Sequence, residues 1–229
     1  ALSGVASVLL FARIRETEPT PPAQPVSSRR ISLRDQWQLV KENRELALFL
    51  LASLFSGLAN MLGQPLYQLI QMEVLELNFV QVGWTRTMYY ICLLFAFFIC
   101  GILLDRFPPQ RVIATGLAVY GVVPLLYSVF GTYPAVLIAS GILGIGDAIW
   151  DIGILAYVFR LAPGREAVAF GLHLLLFGIR GTIGPLLSTG LESVLPYSIM
   201  LYAAALLAFI GTAIYLKGNR RQPDAAAHR

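Results

Sequence analysis

Six stretches of this chain stay apolar long enough to cross a bilayer: 46–70, 87–104, 112–130, 134–159, 167–189 and 196–216. A crossing helix needs ~17–25 such residues. In hydrocarbon every backbone N–H and C=O must be paired within the segment, so runs of this length predict helices rather than barrel strands. The fold class that follows is an all-α membrane protein, a six-helix transmembrane bundle.

Polar positions inside the spans form stripes. In the first span Ser53, Ser56, Asn60, Gln64, Tyr67 and Gln71 recur at intervals of three and four, which places them on one helical face. Ser140, Gly144, Asp147 and Asp151 do the same in the fourth span, and His173, Phe177, Arg180, Gly184 and Ser188 in the fifth. The third and sixth spans carry no charge. They read as lipid-facing outer helices, while the first, fourth and fifth surround something wet.

Before the spans the pattern changes. Residues 1–12 are apolar, too short to span, and lack the basic leading segment of a signal peptide. They read as the end of a preceding transmembrane helix. Residues 13–45 form a central loop whose Pro19, Pro21, Pro22 and Pro25 predict an extended, mobile linker. Within it Ser32 and Asp35 have capping-box spacing, and Leu33, Trp37 and Val40 recur as in an amphipathic surface helix. The transmembrane domain is 46–216, and 217–229 is a tail.

Composition agrees with the pattern: 57% of residues are hydrophobic and 13% charged, against about 25% charged in an ordinary soluble domain. The formal charge of +4 gives no reason to invoke nucleic acid, because its placement has another cause. If each span reverses direction, all but two of the 17 Lys and Arg residues fall on one side, in 13–44, 105–111, 160–166 and 217–229. The opposite loops carry Glu73, Glu76 and Glu192. This is the positive-inside asymmetry, and it puts the central loop and C-terminus in the cytoplasm. Of the two exceptions, Arg86 with Tyr89 and Tyr90 reads as an interfacial anchor, and Arg180 lies within a span.

Asp147, Asp151 and Arg180 are the chemically costly residues. A charge in hydrocarbon costs at least ~2.5–3.5 kcal/mol, so such groups usually face a protein interior or a wet path. Counting inward from Phe159 and Ala167 at ~1.5 Å per residue, Asp147 lies level with Arg180, and Asp151 with His173, to within about 3 Å. Two acids opposite one cation leave one carboxyl group with a negotiable proton. The expected arrangement has Asp147 neutralising Arg180, while Asp151, with His173, takes up and releases a proton. A static ion pair joining two helices is the plainer alternative, although such pairs repay their desolvation poorly. For His173 alone, a neutral histidine with one hydrogen bond is the simpler account. Asn60, Gln64 and Tyr67 either line a solute path or bond one helix to another.

Nothing points to catalysis. There is no P-loop or HExxH motif, and two His residues offer little for metal or nucleophilic chemistry. Cys92 and Cys100, on one helix, define neither a disulfide nor a metal site. No cofactor is expected. Glycines 141, 144 and 146, and 178, 181 and 184 followed by Pro185, permit close helix approach.

The loop after the second span reads Gly101-Ile102-Leu103-Leu104-Asp105-Arg106-Phe107-Pro108-Pro109-Gln110-Arg111. It resembles the G-x-x-x-D-R-x-G-R-R/K signature of the major facilitator superfamily. Gly101, Asp105 and Arg106 match; Pro108, Pro109 and Gln110 replace the later Gly and basic residues, with Arg111 a partial substitute. The resemblance implies half of a twelve-helix facilitator-type transporter, the C-terminal half, with the N-terminal six helices missing from this sequence. It also implies a cytoplasmic gate built on Gly101, Asp105, Arg106 and Arg111, and residence in the plasma (inner) membrane. The function expected is secondary active transport of a small solute, proton-coupled, by alternating access. The partners would then be a small solute, protons, the bilayer and the missing half. A non-transporting membrane receptor or assembly protein, with the charges purely structural, is the alternative; an intramembrane enzyme is a third.

Overall fold

The computed structural model describes residues 33–219, all side chains there excepting those of residues 33–35, Asp105 and Asn219. The stub at 1–12, the proline-rich linker and Ser32 of the expected capping box lie outside the described residues, as does the tail beyond 219.

A short helix, α1 (Leu33–Glu42), precedes six long ones: α2 (Arg44–Leu69), α3 (Phe79–Arg106), α4 (Pro109–Phe130), α5 (Tyr133–Leu161), α6 (Glu166–Leu191) and α7 (Tyr197–Asn219). All six long helices are apolar enough to cross a membrane. α2 continues through a π-helical stretch, Ile70–Val74. Local chemistry sets several boundaries. Asn43 caps α2 by accepting from the Leu46 N–H. Asn78 and Gln81 form a capping box, so α3 starts at Phe79, well before the apolar run at 87. Pro109 occupies the first turn of α4, and Gly131 closes that helix at φ 47°, a left-handed conformation suited to glycine.

α1 lies against α2 and α6. Leu39 is its buried contact, whereas Trp37 is 63% exposed, with the Lys41 ammonium 5.7 Å from its ring centre. Arg165 in the α5–α6 loop bonds Glu42 at 3.3 Å, both side chains half exposed. Such a surface pair contributes little on its own.

Two groups of helices emerge. α5 packs on α3 and α4; α2 packs on α6 and α7; α4 and α7 join the groups, while α5 and α6 touch only lightly. α4 and α7 bury more of themselves within this bundle than α3 or α6 do. An uncharged apolar helix suits a protein interior as well as lipid, so its polarity alone does not separate the two.

Glycines permit the tightest crossings. A Cβ on Gly144 would lie 2.3 Å from the Tyr89 carbonyl oxygen, and one on Gly184 would lie 2.6 Å from Met61 Cβ. Gly178 and Gly181 have no neighbour within 4 Å of such an atom. Of Gly178, Gly181 and Gly184, close approach thus uses only the last.

Candidate functional site

The polar face of α2 divides into two kinds of residue. Ser53 bonds the Leu50 carbonyl within its own helix, and Ser56 donates to the Ala208 carbonyl of α7. These are packing contacts. Further along, Asn60, Gln64, Tyr67 and Gln71 border cavities.

Three adjoining cavities follow α2, α3, α5 and α6. One of about 240 Å³ is bordered by Gln64, Tyr67, Gln71, Arg86, Tyr89 and Asp147. The next, about 180 Å³, shares Gln64, Tyr89 and Asp147 with it and adds Asn60, Asp151 and Arg180. The third, about 300 Å³, shares Trp150, Asp151 and Phe177 with the second and reaches His173. The four ionisable residues singled out by depth thus border two connected cavities. Their expected pairing is different.

Asp147 and Arg180 form no salt bridge; among the described residues the only one joins Arg165 and Glu42. Asp147 instead accepts from two tyrosines, Tyr89 of α3 to Oδ2 and Tyr120 of α4 to Oδ1, each at 2.8 Å. Arg180 turns toward α2. Its Nη1 donates to the Ser53 carbonyl at 2.6 Å through space left by Gly57, where a Cβ would lie 2.0 Å from that nitrogen. The guanidinium carbon stands 5.2 Å from the Trp150 ring centre and 5.0 Å from that of Phe177. Arg180 therefore reaches α5 through an aromatic face rather than a carboxylate. The light contact between α5 and α6 explains this, because each charged group bonds the helix its own element packs upon.

Asp151 is exposed on the cavity side and makes no hydrogen bond among the described residues. His173 is 5% exposed, its ring among Phe49, Trp150 and Phe170, with Nδ1 unpartnered. It borders the same cavity as Asp151. Asn60 is buried with Oδ1 unpartnered. Tyr67 stacks on Tyr127 at 4.5 Å between ring centres, and Tyr127 Oη accepts from Gln71 Nε2.

The loop-signature residues lie elsewhere. Arg106 ends α3 and is exposed, and Arg111 sits in the first turn of α4. Gly101 has open space where a Cβ would be, and the Asp105 side chain lies outside the described residues.

Tyr89, Tyr120 and Trp150 are the site residues that sequence reasoning missed. Tyr89 groups in sequence with Arg86 and Tyr90 as an anchor, and all three border the cavity of about 240 Å³. A tyrosine buried in an apolar helix must find a partner for its hydroxyl, which is the signal Tyr120 carries. Trp150 stands three residues after Asp147, on the acid face.

Membrane hydrogen bonds average only ~0.6 kcal/mol, but a carboxylate acceptor strengthens them. Tyr89→Phe and Tyr120→Phe are each expected to cost about 1 kcal/mol. Because they share one acceptor, the double variant should not be additive. Unfolding of the four proteins in one detergent checks this; full additivity would argue against a shared anchor.

The family description Major Facilitator Superfamily matches residues 49–229. No curated protein matches the chain. With six membrane-crossing helices and that match over most of its length, the chain is a multi-pass membrane protein that belongs to the major facilitator superfamily, a family of transporters.

Proposed function

We propose that this bundle is one half of a secondary active transporter that moves a small solute by alternating access, coupled to protons at Asp151. A second six-helix half would complete the chamber around a pseudo-twofold axis. The observation that carries the reading is the cavity of about 180 Å³ bordered by Asp147, Asp151 and Arg180 within apolar helices. Roles divide by geometry. Asp147 is the anchored carboxylate, because both its oxygens accept from tyrosines. Asp151, without a hydrogen bond among the described residues and bordering one cavity with His173, is the carboxyl group that loads and releases the proton. Asn60, Gln64 and Tyr67 border the solute path.

Basic loops support a cytoplasmic position for the α3–α4 and α5–α6 connections, in the plasma (inner) membrane. Gly101, Asp105, Arg106 and Arg111 would then form the cytoplasmic gate.

A solute chosen by thermal stabilisation of the purified protein can be followed into proteoliposomes under an imposed pH gradient. Asp151→Asn is expected to abolish gradient-driven accumulation while solute exchange at equal pH persists at raised solute concentration. Undiminished accumulation in that variant would remove Asp151 from the coupling mechanism.

A further inference from the structure

The unsatisfied groups around the two inner cavities define a solute, granted the transport reading above. Arg180 is 2% exposed, yet among the described residues its guanidinium makes one hydrogen bond, and Nε has no partner. Asp147 and Asp151 border the same cavity, but among the described residues no carboxylate lies within ion-pair distance of Arg180, and a planar carboxylate is the shape its fork of donors matches. Asn60, 7% exposed, presents an Oδ1 without a donor. Asp151 makes no hydrogen bond among the described residues and borders both cavities; an ionised carboxylate is acceptor-only. The inner cavity therefore offers a place for one anion and, beside it, acceptors for a cationic donor.

Its volume within this half is about 180 Å³, below the ~300–1,000 Å³ usual for ligand pockets, and a solute there has room to extend into the neighbouring cavity. The adjoining cavity of about 300 Å³ is walled by Trp150, Ile154, Leu155, Phe170, Leu174 and Phe177. That wall suits an apolar or aromatic body. We propose that the solute is a zwitterion of the α-amino acid class with an apolar or aromatic side chain. Its carboxylate meets Arg180, its ammonium meets Asp151 and Asn60 Oδ1, and its side chain fills the apolar cavity. A simple organic cation leaves Arg180 uncompensated. A simple carboxylate leaves Asn60 and Asp151 unmatched, and a sugar answers neither charge.

The test uses the full-length transporter in detergent, reporting binding through the fluorescence of Trp150, which borders both cavities. The probes are L-leucine, L-phenylalanine, 3-phenylpropionate and phenethylamine. Phenylalanine and leucine should bind, and each analogue lacking one charged group should bind at least tenfold more weakly. Asp151→Asn should weaken phenylalanine binding and leave phenylpropionate unchanged or improved. If the analogues match phenylalanine, or only a solute without two charges binds and crosses proteoliposomes, the zwitterion assignment falls and transport stands. If no solute moves in proteoliposomes at all, both fall together.

Discussion

Replacing Arg180 with methionine is expected to lower solute flux by about 30-fold or more while leaving thermal stability equal to or above that of the parent. The two effects part because of what the guanidinium touches. Losing one member of a buried charged contact with the solute costs about 2–5 kcal/mol, and each 1.4 kcal/mol is a factor of ten. Among the described residues Arg180 has one backbone carbonyl, two aromatic faces and no carboxylate as partners. Its desolvation is only partly offset, and a methionine, ending about where Nε lies, keeps the apolar packing of the stem without a buried charge. A structural ion pair would behave oppositely, since removing one partner of such a pair destabilises by about 3–5 kcal/mol. Flux and melting temperature measured on one preparation decide the matter. A steep fall in melting temperature would make Arg180 a staple rather than a binding group.

Gly144→Ala should destabilise the bundle by about 1–3 kcal/mol, the usual cost of overpacking. The added methyl would stand 2.3 Å from the Tyr89 carbonyl oxygen and 3.1 Å from the Leu93 nitrogen, both backbone atoms of α3. Neither can swing aside as a side chain can, so α3 and α5 must separate. Separation also draws the Tyr89 hydroxyl away from Asp147. Transport is therefore expected to fall beyond what lost stability explains. Unfolding and flux, compared with a variant of equal stability altered far from the cavities, check both parts. A melting temperature equal to the parent's would show that the crossing has slack.

The number and type of helices were legible in the sequence because hydrophobic length is a one-dimensional property that lipid reads directly. So was depth: a fixed rise per residue brought Asp147, Asp151 and Arg180 to one cavity and Asp151 and His173 to the next. Pairing was not legible. It depends on which neighbour a helix leans upon and on its rotation, and α6 leans on α2 rather than α5. For the same reason the sequence could not assign Tyr89 and Tyr120 to Asp147, or separate Gly184 from Gly178 and Gly181, which share its spacing. Serines 53 and 56 fell on the same face as Asn60, yet bond backbone rather than border a cavity. A stripe of polar residues reports a face, not what each member does there.

The lightly packed join of α5 and α6 carries a consequence of its own. Arg180 is tied to α2 on one bank, and Asp147 is tied to α3 and α4 on the other. Any parting of the banks pulls unlike charges away from each other in a medium that screens them weakly, so it costs electrostatic work. A cargo carrying both signs would bridge the gap and lower that work. Such a carrier resists cycling when it has nothing aboard.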